Sequence, residues 1–384
     1  MTKEHKGPPA PFPLTVVTGF LGSGKTSLLN SLLREPALAD TLVIINEFGE
    51  IGLDHLLIEK LDGDLLVMTS GCLCCSIRGD LTAALEDLLR RRDNGRITPF
   101  QRVLIETTGL ADPAPVLHTV MTHPYLKLRF GLEGVITVVD AVNGMATLNA
   151  HEEAVKQAAM ADRLALSKTD LLAPGDDASE LRARLNKLNP GARLLETSKG
   201  EATSATLLDA GLYDADHKVP DVRRWLNAEA LEADSLHAST HGDARDAGSR
   251  GHHKEQHDVN RHGADVCAFC LRREAPLSPL TLDLFLEMLC KAHGAHILRV
   301  KGLVALTDEP LRPAVIHGVQ HVFHPLLRLP KWPDDDHTTR IVFILRGVEA
   351  EVVEALWQTA AGFPSGGGEG CRNPLAPRKA GFFA

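Results

Sequence analysis

The octapeptide GFLGSGKT (19–26) places glycine, lysine and threonine at every fixed position of the phosphate-binding pattern G-x-x-x-x-G-K-[ST]. The chemistry asks for each part. Gly19, Gly22 and Gly24 let the backbone curl so that successive N–H groups, with Ser23 and Ser27 in the run, face phosphate oxygens. Lys25 reaches the β and γ phosphates, and Thr26 ligates Mg²⁺. The apolar run PLTVVTG before the loop and the periodic KTSLLNSLL after it supply the strand and helix that this chemistry requires.

Two further stretches fit the same nucleotide. ETTGLADP (106–113) follows the run RVLIE, so Glu106 stands at a strand end with Gly109 three residues on. A carboxylate there holds Mg²⁺ through water, and the glycine N–H senses the γ-phosphate, which is the logic of a GTPase switch. SKTD (167–170) closes another apolar run. Asp170 can accept two hydrogen bonds from the guanine edge while the Lys168 stem lies along the base. The same four residues elsewhere would read as a helix cap.

GCLCC (71–75) puts Cys72, Cys74 and Cys75 into four positions of a chain with 7 cysteines in all. Thiolates select Zn²⁺, Cu(I) or Fe–S clusters. Adjacent cysteines give an open, strained site rather than a four-ligand cage, which suits a cargo that must leave. The fourth ligand is water or a carboxylate, and NEFGEIGLDH (46–55) offers Glu47, Glu50, Asp54 and His55. Core packing and disulfide exchange are the alternative uses of such thiols.

Short apolar strands alternating with helical stretches must position these groups. Strands are expected at 13–19, 41–46, 65–70, 102–106, 134–140, 163–167 and 192–198, and helices at 25–33, 81–91 and 151–161. Apolar runs separated by crossovers indicate an α/β P-loop NTPase domain, a parallel sheet flanked by helices, over residues 13–220. Residues 1–12 read as a flexible N-terminus and 221–265 as a disordered linker, because HASTHGDARDAGSRGHHKEQHDVNRH has almost nothing apolar to bury. From 266 to 362, strands at 266–274, 297–306, 314–326 and 339–347 and helices at 280–293 and 348–360 make a smaller α+β domain. Residues 363–384 read as a flexible tail.

Composition narrows the partners. The net charge of −9 leaves no basic stretch able to neutralise many phosphates, so nucleic acid is not expected. No apolar run approaches the ~20 residues of a membrane span, and the polar, proline-rich start lacks a signal peptide's apolar stretch. The expectation is a cytoplasmic protein with reduced thiols. In the linker, His237, His241, His252, His253, His257 and His262 form a flexible set of imidazoles that either buffers metal or is incidental. Cys267 and Cys270 fall in an apparent strand that points them to opposite faces, which favours packing, and His317, His321 and His324 read as structural.

GFLGSGKTSLLN, NEFGEIGLD, GCLCC, ETTGLADP and SKTD, in this order, resemble the CobW-type metallochaperone GTPases, relatives of the nickel-insertion GTPases of hydrogenase and urease. LRVKGLVAL, IHGVQHVFHP and TTRIVFIL resemble that family's C-terminal domain, so the likeness covers most of the chain. It implies GTP hydrolysis coupled to metal binding and delivery, with Zn²⁺ the commonest cargo and Co²⁺ that of the namesake branch. It implies that Cys72, Cys74 and Cys75 bind the metal, with Glu50 joining or replacing a ligand, and that His123 in VMTHPYL occupies a position able to bind metal. Ser167 stands where such GTPases carry Asn. The C-terminal domain is expected to dock a client metalloprotein, and a homodimer is left open. The alternatives are a cobalt chaperone for cobalamin synthesis or nitrile hydratase maturation, a zinc-storage protein, and a small-molecule phosphotransferase.

Overall fold

The computed structural model describes residues 10–48, 65–70, 77–208 and 266–362, with side chains described over 10–45, 81–208 and 266–362. The chain divides into two compact units, Met1–Asp214 and Ala215–Ala384. The N-terminal residues 1–9, the linker histidines and the tail after 362 lie outside the described residues.

In the first unit the order is β1 (Phe12–Thr18), α1 (Lys25–Leu33), β2 (Thr41–Phe48), β3 (Leu65–Ser70), α2 (Ile77–Asp93), β4 (Arg102–Thr107), α3 (Ala114–Thr122), α4 (Leu126–Arg129), β5 (Phe130–Asp140), α5 (Gly144–Ala150), α6 (Glu152–Met160), β6 (Arg163–Ser167), α7 (Ser179–Leu188), β7 (Arg193–Glu196) and α8 (Ser204–Leu207). The seven strands form one sheet in the order β3-β2-β4-β1-β5-β6-β7, and every pairing is parallel. Parallel strands need both faces covered, which is why their sequences are continuous apolar runs. α1 buries Leu28, Leu29 and Leu32 in one cluster with Val17, Val43, Ile45, Leu104, Ile136 and Val138. Each of those leucines is worth roughly 1.5–3 kcal/mol when fully buried. The strand order leaves β1 in the middle, between β4 and β5, so the phosphate loop and the ETTG segment leave adjacent strands at the same sheet edge.

β5 begins four residues before the expected start, at Phe130, and is buried throughout. Gly131 and Glu133, ahead of the expected start, lie inside the strand. Glu133 is satisfied there by Thr15, which donates across 2.6 Å, and by Arg102. α3 was not expected either. Its start is marked by Pro113 and by Asp112, whose Oδ1 accepts from the Ala114 N–H at 2.8 Å.

The second unit runs β8 (Val266–Arg273), α9 (Pro279–His293), β9 (Ile297–Val304), β10 (Ala314–Val319), β11 (Val322–Phe323), β12 (Leu327–Arg328), β13 (Thr339–Arg346) and α10 (Ala350–Gly362). Its antiparallel sheet has the order β11-β10-β9-β13-β8, with β12 also pairing β10. α9 and α10 supply Phe285 and Trp357 to a core that includes Phe343, with Phe285 edge-on to both rings. The single strand expected over 314–326 is instead a hairpin. The chain reverses at Gln320, which has φ 51°, and Phe323 folds back so closely over Gly318 that a Cβ there would lie 2.6 Å from its ring.

Cys267 and Cys270 are both half-buried, and the pleat sends them to opposite faces of β8. His317 is buried with its ring parallel to that of His324, centroids 6.5 Å apart, as a structural histidine would be. No helix among the described residues is long and apolar enough to cross a membrane.

Candidate nucleotide site

The phosphate loop connects β1 to α1, and its glycines do what the motif asks. Gly19, Gly22 and Gly24 have φ of 143°, 70° and 95°, a region closed to most side chains. A Cβ on Gly19 would also meet the Val138 carbonyl at 2.3 Å. The Ser23 N–H closes the turn on the Phe20 carbonyl at 3.1 Å, and Gly24 caps α1, whose positive end therefore faces the loop. Lys25 is buried with Nζ donating to the Phe20 carbonyl at 3.2 Å. Ser27 is exposed on the first turn.

Thr26 donates through Oγ1 to Glu106 Oε1 at 3.3 Å, which brings the two Mg²⁺-binding candidates together from α1 and the end of β4. Glu106 is buried at 3% exposure. An aliphatic hydroxyl beside a buried carboxylate at the mouth of a phosphate loop is an oxygen-donor set that suits Mg²⁺. Gly109 follows so close to the loop that an added Cβ would lie 2.5 Å from the Leu21 nitrogen.

β6 ends at Ser167, whose hydroxyl donates to the Ser23 carbonyl at 2.6 Å and thereby ties the SKTD segment to the phosphate loop. Lys168 adopts the left-handed conformation, φ 59°. Its ammonium donates to the Gly22 carbonyl and to Asp140 Oδ2, each at 2.7 Å. Asp170 sits exposed in the short turn that follows.

Three participants were not read from the sequence. Asp140, at the end of β5, accepts from Lys168, from the side chain of Asn143 at 3.0 Å and from the Val142 N–H at 2.8 Å. Burial opposes its ionisation, but Lys168 and the Asn143 and Val142 donors outweigh it and hold the carboxyl below the usual carboxylate range. The signal available was a carboxylate closing the strand GVITVVD, as Glu106 closes RVLIE. Gln157 of α6 donates to the carbonyls of Gly109 and Ala111. Ser198, beyond β7, hydrogen-bonds Thr169 and so draws its loop to the SKTD turn.

Among the metal candidates, Cys72, Cys74, Cys75 and Glu50 lie outside the described residues, as does the side chain of Glu47. Parallel β2 and β3 run in step to their ends, with Glu47 opposite Thr69 and Phe48 opposite Ser70. In sequence, Cys72 follows by two positions Ser70, where β3 ends beside β2. His123 ends α3 elsewhere, with Nε2 3.7 Å from Glu86 Oε1 and Nδ1 3.4 Å from the Leu126 N–H.

Residues 13–196 match the family described as CobW/HypB/UreG, nucleotide-binding domain, and residues 266–361 match the cobalamin synthesis protein cobW C-terminal domain. The chain is 31% identical over 334 residues to the zinc chaperone YjiA of Escherichia coli, covering 87% of this chain and 94% of that one. It is 35% identical over 348 residues to the zinc-regulated GTPase metalloprotein activator 1 of Schizosaccharomyces pombe, covering 85% and 80%. The crystal structure of Zn(II)-bound YjiA GTPase from E. coli superposes with a TM-score of 0.64 at 26% identity, covering 92% of this chain and 99% of that one.

Proposed function

The chain belongs to the CobW family of P-loop GTPases, and from that membership we propose that it carries Zn²⁺ on Cys72, Cys74 and Cys75 and yields it to a client metalloprotein under control of the bound nucleotide. The observation that carries the reading is the shared sheet edge. β3 and β2 end in step at Ser70 and Phe48, two residues in sequence before Cys72 and Glu50; β2 lies beside β4, whose end bears Glu106, and β4 lies beside the loop-bearing β1.

In this reading Lys25 neutralises the β and γ phosphates, and the loop N–H groups from Gly19 to Ser27 cradle them. Mg²⁺, held by Thr26 directly and by Glu106 through water, supplies charge neutralisation. Gly109 senses the γ-phosphate, and Asp170 reads guanine beside the Lys168 stem. The 46–55 and 71–75 segments take one arrangement with GTP and another with GDP, so metal affinity differs between nucleotide states. By linkage, metal shifts GTP binding by the same factor. The names of the relatives favour zinc over cobalt. Three free thiolates require a reducing compartment, hence the cytoplasm. The second unit docks the client.

The test is an anaerobic titration of Zn²⁺ and Co²⁺ against a chromophoric chelator, with GDP and then with a non-hydrolysable GTP analogue. The expected result is a tight site, stronger for Zn²⁺, that changes affinity with nucleotide and vanishes when Cys72, Cys74 and Cys75 become serine. An affinity indifferent to nucleotide makes the protein a store rather than a chaperone. The absence of any tight site returns the thiols to redox or packing roles.

A further inference from the structure

Gln157 is fully buried, at 0% exposure, on the apolar side of α6. Its Nε2 donates to the Gly109 carbonyl at 3.2 Å and to the Ala111 carbonyl at 3.0 Å. A carboxamide nitrogen has two protons, so both are committed to one turn of backbone, and the two acceptors fix which end of the amide is nitrogen. The other end, Oε1, is buried with no hydrogen-bond partner. An unpaired buried carbonyl is costly, and packing alone would be served better by an apolar side chain of the same size. Helix register is secured as well, because Thr137 on β5 donates to the Gln157 backbone carbonyl at 2.7 Å.

The turn that Gln157 grips abuts the phosphate loop at Leu21. Gln157 also lines a cavity of about 240 Å³ with Phe20, Leu21 and Gly22 of that loop. The turn thus takes two hydrogen bonds from Gln157, 48 positions after Gly109, and packs against the loop at Leu21, while its own Ala111 N–H closes on the Thr108 carbonyl at 3.1 Å.

We propose that Gln157 is a positioning residue for GTP hydrolysis, aiming the Gly109 turn at the γ-phosphate through its paired hydrogen bonds to Gly109 and Ala111. The assignment rests on the reading of Glu106 and Gly109 as the switch.

The test uses the full chain loaded with Mg²⁺ and GTP. Gln157→Leu keeps the volume and removes both donors. Its kcat should fall about tenfold or more, the scale on which small misplacements act, with GDP affinity held within about twofold. Gln157→Glu adds a readout that a packing role would not move. Ionised, its carboxylate repels both carbonyls; protonated, it donates to one of them, and burial favours the protonated form. Its kcat relative to wild type should therefore rise as pH falls from about 8 to about 6, while that of Gln157→Leu stays flat. Wild-type kcat in Gln157→Leu, or the same pH profile in both variants, overturns the proposal. If Gln157→Leu does not fold, the pH profile of Gln157→Glu decides alone. Glu106→Gln run in parallel separates the two failures. If it abolishes hydrolysis while Gln157→Leu does not, only the role of Gln157 falls; if neither matters, the switch reading falls with it.

Discussion

Lys168 and Asp140 form an ion pair of 2.7 Å at the ends of two adjacent parallel strands, and the same ammonium reaches the Gly22 carbonyl. The pair holds a left-handed lysine against the phosphate loop, and in the proposed GTP site it would couple base recognition to phosphate recognition. Asp140→Asn keeps the shape and removes the charge. A hydrogen bond to a charged group is worth about 1.5–3 kcal/mol, so GDP and GTP should both bind about tenfold or more weakly, by equal factors. The Asp140 carboxyl titrates below its ordinary value, so its contribution is present above the unfolded value of about 3.9 and is lost as pH falls through the folded one. The advantage over Asp140→Asn should persist down to about pH 4. Calorimetric titration of each nucleotide at several pH values checks both statements, and unequal losses for GDP and GTP would contradict the coupling.

Gly109→Ala tests the contact between the switch and the loop. The new methyl group would lie 2.5 Å from the Leu21 nitrogen and 2.7 Å from its Cα, and backbone atoms cannot rotate away. Either the turn or the loop must shift, and displacements of that size cost about 100-fold in rate. GTP turnover should fall by that order, while the unfolding midpoint moves little because the strain relaxes through an exposed loop. Turnover within a few-fold of wild type would show that the turn moves freely.

The residues whose chemistry depends on local spacing were legible. GFLGSGKT, ETTGLADP and SKTD are each contained within a few positions, and each lies at the end of an apolar run that the pleat turns into a buried strand. Asp140 and Gln157 were not legible, since their partners are 28 and 48 positions away and meet them only through the sheet order. β5 began too late in the reading because Glu133 looks like surface until Arg102 and Thr15 arrive from neighbouring strands. The hairpin at Gln320 lacked the Asn-Gly or Asp-Gly pair that marks such turns, and the Phe323 ring lying over Gly318 joins residues that meet only once the turn has formed.

In the second unit, Phe285 sits edge-on to Trp357 at 5.0 Å and to Phe343 at 6.3 Å, fully buried. Phe285→Ala should cost about 3–5 kcal/mol of that unit's stability, since three elements converge on the ring and cannot all collapse. Denaturant unfolding followed by tryptophan fluorescence measures it. A loss under about 1 kcal/mol would mean that α9 and α10 repack around the gap.

Asp283 presents the opposite case, a charge that the fold tolerates rather than uses. It lies on α9 beside the core residue Leu282, buried, with Oδ1 lacking a hydrogen-bond partner, and burial raises its carboxyl above the ordinary value. The folded state holds the proton more tightly than the unfolded one, so stability declines as pH climbs from the unfolded value of about 3.9 to the raised folded value, and the loss is constant above it. Asp283→Asn removes the ionisation while keeping the shape. It should raise the unfolding temperature at neutral pH, by about 4–8 °C for each kcal/mol recovered in a domain of this size, and the gain should fade as pH falls below about 4. Thermal unfolding of both proteins across that range reads the difference. A gain that does not depend on pH would mean that shape rather than charge limits this site, and a loss at neutral pH would mean that the carboxylate is needed where it stands.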